Sequence, residues 1–411
     1  MTQPVKTQDQ TQTDGSELKT RIMAVGRDLA TGIGSVLDAI PYGTHAPAAL
    51  ARTMGVDKLL AGRVLKALRN PDPMAVLNTA PGPDPLRRLL RAARRQGVAP
   101  ELIAAAEEAV RRFEALIRQE AGDRSALDAM LSAWLPAARA EFELRRKQTV
   151  FRGMSQLLGV ATEKHVTTIM LNLSPDGVHL DVMCLFGMLG LQRLRPGATV
   201  KFSTRRLSRD DTPRVPRTLA LSPVEGVEGL RVDEFCTAPA PQLDVHHVGD
   251  VVHYTLAGND FGPRSAIDLV FAEVNLAEMP RYLPGSPPRL RHASADVTTP
   301  AKVLVFDVLV HEEVFPGTDP QLFIYDTTFD GVADVNDPAR HIDRLDLCET
   351  VRPLGTGIDK FHNPEMPRYV ELMRHICEKL GWNGDRFRGY RCRIEYPIYG
   401  SQVTAAFNPS R

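Results

Sequence analysis

Between positions 50 and 95 of this 411-residue chain, ten lysines and arginines stand against three acidic residues. Lys58, Arg63, Lys66 and Arg69 follow one another closely, with Arg52 just before them and Arg87, Arg88, Arg91, Arg94 and Arg95 just after. A local excess of this kind suits contact with phosphate. A solvated basic helix surface fits the same tally, so both readings stand at this point.

Other residue types do not assemble into a reaction. His246-His247 with His253 suggests metal, but no carboxylate is spaced to complete a site, and surface histidines account for them. His311-Glu312-Glu313 lacks the second histidine of a helical HExxH. Asp326, Asp330, Asp334 and Asp337 crowd the segment DTTFDGVADVND, which departs from the EF-hand order and reads as turn-forming aspartates. His341 and Asp346 have a spacing that would suit an acid–base pair, too common a coincidence to use. Ser155 and Cys184 read as core or cap residues. There is no GxSxG, phosphate-binding P-loop or defensible Cys-His pairing. The run Gly187–Arg209 carries Arg193, Arg195, Arg205, Arg206 and Arg209 around a Pro-Gly turn. It suits nucleic acid, an anionic ligand, an acidic partner face or plain solvent. No catalytic residue, metal ligand or cofactor site is therefore expected.

The formal net charge of zero hides an asymmetry. Residues 1–150 hold 22 basic and 17 acidic residues, and residues 151–411 hold 28 and 33. The five cysteines are scattered and form no CxxC, which points to a reducing cytoplasm rather than a disulfide frame. The polar start MTQPVKTQDQTQTDGSE lacks the apolar core of a signal peptide. The longest apolar run, Val182–Leu191, is about half of what a membrane span requires.

The elements that must position these residues fall into two textures, and the fold class expected is α+β. Residues 1–17 read as a disordered tail. Leu18, Ile22, Val25, Leu29, Ile33, Val36 and Ile40 then mark one face of a helix, which Pro41 and Gly43 end. Pro47 opens a short helix, Gly55 breaks it, Asp57 caps the next, and Asn70-Pro71 stops that one. The five prolines of 71–85 argue against a regular helix and for a wing or rigid connector. Helical patterns resume over 85–150, with a kink expected at Pro136, and suit a linker that pairs two copies. From about residue 151 strand-like runs dominate, including Gly229–Cys236 and a closing hairpin of Tyr390–Tyr396 with Ser401–Phe407. A helix is expected over Met366–Leu380, ending at Gly381. This gives a tail (1–17), a winged helix-turn-helix domain (18–84), a helical linker (85–150) and a mostly antiparallel α+β domain (151–411).

Ala51, Gly55 and Val56 carry a resemblance. Ala51 lets two helices approach, and Gly55, four residues later, tolerates the turn. The stretch resembles the helix-turn-helix of bacterial winged-helix regulators, in particular the IclR-like family, over about residues 17–80. The resemblance implies DNA contact through Lys58, Arg63, Lys66 and Arg69 on the third helix, with Arg52, Arg87 and Arg88 meeting phosphates. Leu59, Leu60 and Gly62 depart from the regulators' pattern. Gly55-Val56-Asp57 is also similar to the N-terminal dimerisation domain of small-molecule O-methyltransferases, where the unit touches no DNA. Gly187-Met-Leu-Gly190 and Gly355-Thr-Gly357 do not supply that family's cofactor loop. The leading expectation is a cytoplasmic, homodimeric, DNA-binding transcriptional regulator with a possible small-molecule effector. A structural or assembly protein that uses the unit only for dimerisation is the alternative, and an enzyme with its site after residue 150 is the third reading.

Overall fold

The computed structural model describes residues 8–40, 46–206, 216–224, 227–248, 251–282 and 289–409. The chain is α+β and divides into two compact units, Met1–Glu143 and Leu144–Arg411.

The first unit is built on α1 (Gln8–Asp38), followed by α2 (Pro47–Met54), α3 (Lys58–Leu68), α4 (Pro73–Thr79), α5 (Pro83–Arg95) and α6 (Pro100–Ala115). A π-helical turn at Leu116–Ala121, α7 (Arg124–Ser132) and the start of α8 (Pro136–Leu158) complete it. The stripe read from sequence is the buried face of α1: Ile22, Leu29, Ile33, Val36 and Ile40 are all in the core. Because α1 begins at Gln8, it takes in part of the expected disordered tail. Extending an existing helix adds hydrogen bonds without a new nucleation step. Residues 1–7, Pro41 and Gly43 lie outside the described residues.

Two expectations are corrected here. Among the described residues this unit holds no strand, and the proline-rich stretch contains α4 and the start of α5 in place of a wing. Pro73 and Pro83 sit in first turns, where a missing N–H leaves no bond unmade. Asp72 caps α4 by accepting from the Met74 N–H at 2.8 Å. Nor are α5 and α6 a separate linker. Leu86, Leu89, Leu90, Ile103, Val110 and Phe113 share one core with Ile22, Leu29 and Leu60, because their apolar stripes bury against helices of the same unit. Pro136 starts α8 rather than kinking a longer helix.

The second unit centres on a six-stranded sheet in the order β10 (Val351–Thr356), β11 (Phe387–Glu395), β8 (Ala301–His311), β1 (Val160–Leu173), β2 (His179–Arg193) and β6 (Ile267–Pro280). Only the β1–β8 pair is parallel. Successive side chains of a strand face opposite sides. Val166 and Met170 of β1 and Leu309 of β8 therefore pack with α9 (Tyr369–Leu380) on one face. Leu304, Phe306, Val308 and Val310 of β8 face a second sheet, β7 (Arg291–Asp296), β12 (Ser401–Phe407) and β9 (Gln321–Asp326). Covered on both faces, β8 reads as a mostly apolar run from Val303 to Val310, interrupted by Asp307. A third sheet joins β3 (Lys201–Arg206), β5 (Val251–Leu256) and β4 (Leu243–Val248).

The expected closing hairpin does not form: β11 belongs to the six-stranded sheet and β12 to the three-stranded one. Neighbouring strands can separate when each finds a better-matched apolar face. Gly229–Cys236 is not a strand but two short 3-10 turns, Val227–Leu230 and Asp233–Phe235. Val232 and Phe235 are both buried, and a spacing of three is the period of that helix. Helix α9 ends as expected at Gly381, in the left-handed conformation at φ 67°.

His165 is fully buried in β1, edge-on to Phe186, and its Nδ1 has no hydrogen-bond partner. Burial pushes its pKa down to about 4, against about 6.5 in an unfolded chain. The unfolded chain thus takes up a proton that the folded one refuses, so stability is lost as pH falls from about 6.5 towards 4. Replacing His165 by methionine is expected to flatten the stability change between pH 7 and pH 5 in urea titrations; an unchanged slope would contradict this assignment.

Candidate nucleic-acid interface

Helix α2 ends at Gly55, whose φ of 61° and ψ of 37° lie in the left-handed region. A side chain there would be strained, so glycine is the residue the turn calls for. The Val56 N–H reaches back to the Ala51 carbonyl at 3.1 Å, closing a Schellman-type turn. Asp57 then caps α3 by accepting from the Leu60 N–H at 2.7 Å. Leu60, Ala61, Val64, Leu65 and Ala67 hold the inner face of α3 in the core together with Leu50 and Met54 of α2. The outer face is left to Lys58, Leu59, Arg63, Lys66 and Arg69, all exposed.

The expected contact residues are not equally available. On α3, Lys58 and Lys66 are exposed, and Arg63 donates to the Ala80 carbonyl at 3.3 Å. Arg52 donates to Ala48 one turn back on α2 at 3.3 Å. On α5, Arg87 is half-buried and held in ion pairs with Asp84, at 2.9 Å, and Glu114. Its charge is largely answered within the protein. Arg88 is exposed and has no such pair among the described residues. Leu59, at 75% exposure, is the largest apolar side chain on the outer face of α3.

The linear run did not show how α5 presents its charge. Leu86, Leu89, Leu90 and Ala93 face inward, so Arg88, Arg91, Arg94 and Arg95 face the α2–α3 turn across a cleft. Steps of three and four between the arginines are the signal for a shared face. The Gln96 amide ties the end of α5 to α2 by donating to the Thr53 carbonyl at 2.9 Å.

The second unit's polar groups are mostly engaged in holding the fold. Arg193 is buried and donates to the carbonyls of Ala198, Leu256, Ala257 and Asp260. It is thus a loop organiser and not an outward contact. Arg209 lies outside the described residues. Asp326, Asp334 and Asp337 accept from the backbone N–H groups of Thr328, Asn336 and Ala339, as turn-forming aspartates do. Among the described residues no three His, Cys, Asp or Glu side chains group as a metal site would require. His246 pairs across the sheet with His253 and lies 3.0 Å from the Thr255 hydroxyl. Gly187 and Gly190 both lie inside β2, not in a loop before a helix. Cys184 is half-buried in β2, and burial raises its thiol pKa far above the ordinary value. No described helix is long and apolar enough to cross a membrane.

No protein-family model matches this chain, and no curated protein matches it. Among solved structures, a candidate protease from Parabacteroides distasonis ATCC 8503 aligns with 61% of this chain and 40% of its own, at 12% identity and a TM-score of 0.24. The chain thus spans well under half the length of that protein, and a likeness this weak carries no argument about fold or activity.

Proposed function

We propose that this chain is a cytoplasmic, homodimeric, DNA-binding transcriptional regulator. The observation that carries the reading is the outer face of α3, where Lys58, Arg63, Lys66 and Arg69 stand exposed behind a tight, capped turn. A helix presented this way enters the major groove by its N-terminal half. Arg52 and Arg88 then reach phosphates, which set affinity more than sequence choice. The second unit senses a small-molecule effector or holds a partner. An effector shifts the spacing of two heads only if it binds the two arrangements with different affinity.

Fluorescence anisotropy with genomic DNA fragments at several salt concentrations tests this. The logarithm of the binding constant should fall with the logarithm of salt at about −0.9 per phosphate contact. Absence of binding at low salt would sink the proposal. The double variant Arg63→Ala/Lys66→Ala is expected to lose on the order of 1–3 kcal/mol if Arg63 reads a base edge; unchanged affinity moves the contact off α3.

The exposed Leu59 favours a second reading, a structural or assembly protein in which the unit only pairs chains, since pairing would remove that side chain from water. It predicts an oligomer in light scattering that Leu59→Lys dissociates, with no DNA affinity.

A further inference from the structure

The cleft between the α2–α3 turn and α5 has a volume of about 720 Å³ and is lined by Gly55, Asp57, Arg88, Arg91, Arg94 and Arg95 among others. That volume falls within the range of small-ligand sites. Arg94 pairs with Glu107 at 3.0 Å. Arg88, Arg91 and Arg95 have no ion pair among the described residues. Elsewhere in the unit Arg87, Arg111, Arg112, Arg118 and Arg124 each pair with a carboxylate. Arg27, Arg52 and Arg63 likewise have no ion pair among the described residues, but Arg52 and Arg63 donate to backbone carbonyls, whereas Arg88, Arg91 and Arg95 line one concave surface without a carboxylate partner. Like charges three and four residues apart oppose helix formation, so folding alone does not account for the arrangement. The one lining carboxylate, Asp57, already accepts from the Leu60 N–H at the start of α3. The Gln96–Thr53 bond holds the two walls in place before any ligand arrives. A guanidinium presents paired donors that match phosphoryl oxygens.

We infer that this cleft is a binding site for phosphoryl groups, with Arg88, Arg91 and Arg95 as the ligating side chains. The inference goes beyond the DNA reading and does not depend on it. The phosphoryl groups come either from a DNA backbone running past α3 or from a free di- or triphosphate, and both present the same chemistry to the arginines.

The test is calorimetric titration of the full chain with pyrophosphate at matched ionic strength. Binding should be saturable, and Arg88→Ala/Arg91→Ala/Arg95→Ala should weaken it by about tenfold or more. Arg111→Ala, which removes one charge outside the cleft, should leave it unchanged. Because the three arginines are exposed, the variant should keep its circular dichroism spectrum. Should it not, Arg91→Lys/Arg95→Lys keeps the charge, loses the paired donors and should still weaken binding. No saturable binding, or equal binding by the triple variant, overturns the inference. Displacement of bound DNA by pyrophosphate assigns the site to backbone phosphates. DNA affinity that is indifferent to saturating pyrophosphate assigns it to a free anion. A chain that binds pyrophosphate through these arginines but binds no DNA keeps this site and removes the regulator reading.

Discussion

Replacing Arg391 with methionine is expected to destabilise the second unit by about 3–5 kcal/mol, because it strands the Asp307 carboxylate in the protein interior. Asp307 on β8 is fully buried, and the Arg391 side chain on the neighbouring β11 is 11% exposed. The guanidinium meets the carboxylate through two bonds, of 2.8 and 2.7 Å. It also donates to the carbonyls of Phe361 and His362, and it lies over the Tyr369 ring. The Tyr369 hydroxyl, 2.8 Å from the Thr168 hydroxyl, completes the cluster. Burial, then the Asp307 charge, holds that hydroxyl well above the usual range of a tyrosine pKa. This polar cluster therefore fastens α9 to the face of the six-stranded sheet. Urea-dependent hydrogen exchange of the α9 and β8 amides reads the loss locally, without assuming that the two units unfold together. The paired replacement Asp307→Leu/Arg391→Met should recover most of it, since no charge is then left buried. A single Arg391→Met variant with wild-type exchange would show that the pair contributes little.

Two glycines of α1 should respond to alanine with opposite signs. At Gly26 a Cβ would lie 2.2 Å from the Pro73 carbonyl oxygen and 2.7 Å from its carbon. Alanine in a helix gains about 1 kcal/mol over glycine. Here the obstacle is the backbone of α4, which cannot rotate aside as a side chain could. The net effect expected is a loss on the order of 2 kcal/mol, with α1 and α4 forced apart. At Gly34 nothing lies within 4 Å of the added atom, so alanine should stabilise by about 0.5–1 kcal/mol. Thermal unfolding of both variants checks the pair. A shift of the same sign in both would mean that Gly26 is not the close-approach point between α1 and α4.

Local elements were legible wherever their signals were local. The stripe from Ile22 to Ile40 is the buried face of α1, Gly55 and Asp57 mark the turn and cap before α3, and Gly381 ends α9. The proline-rich stretch misled because proline at a first helical turn costs nothing that an unpaired N–H would not, so α4 and α5 begin at prolines. Val232 and Phe235 looked like part of a strand because the same apolar residues serve a 3-10 turn when spaced by three. Strands β4, β7 and β10 went unread, since their short, polar-rich sequences gain their ladders from distant partners. Of the candidate contact residues, Arg87 could not be separated from Arg88 by type or position. Its engagement with Glu114 depends on how α5 packs against α6.

By itself, then, the sequence determined the α+β class, the tight turn at Gly55 between α2 and α3, and the local excess of basic charge, because helix periodicity, caps and composition are written within a few residues of where they act. Only the tertiary structure decided that α4 replaces a wing, that α5 and α6 join the core of the first unit, that β11 and β12 part into different sheets, and that four arginines of α5 converge on the Gly55 turn. Those outcomes depend on which apolar face finds which partner across long separations in the chain, and that choice is made by burial rather than by local sequence.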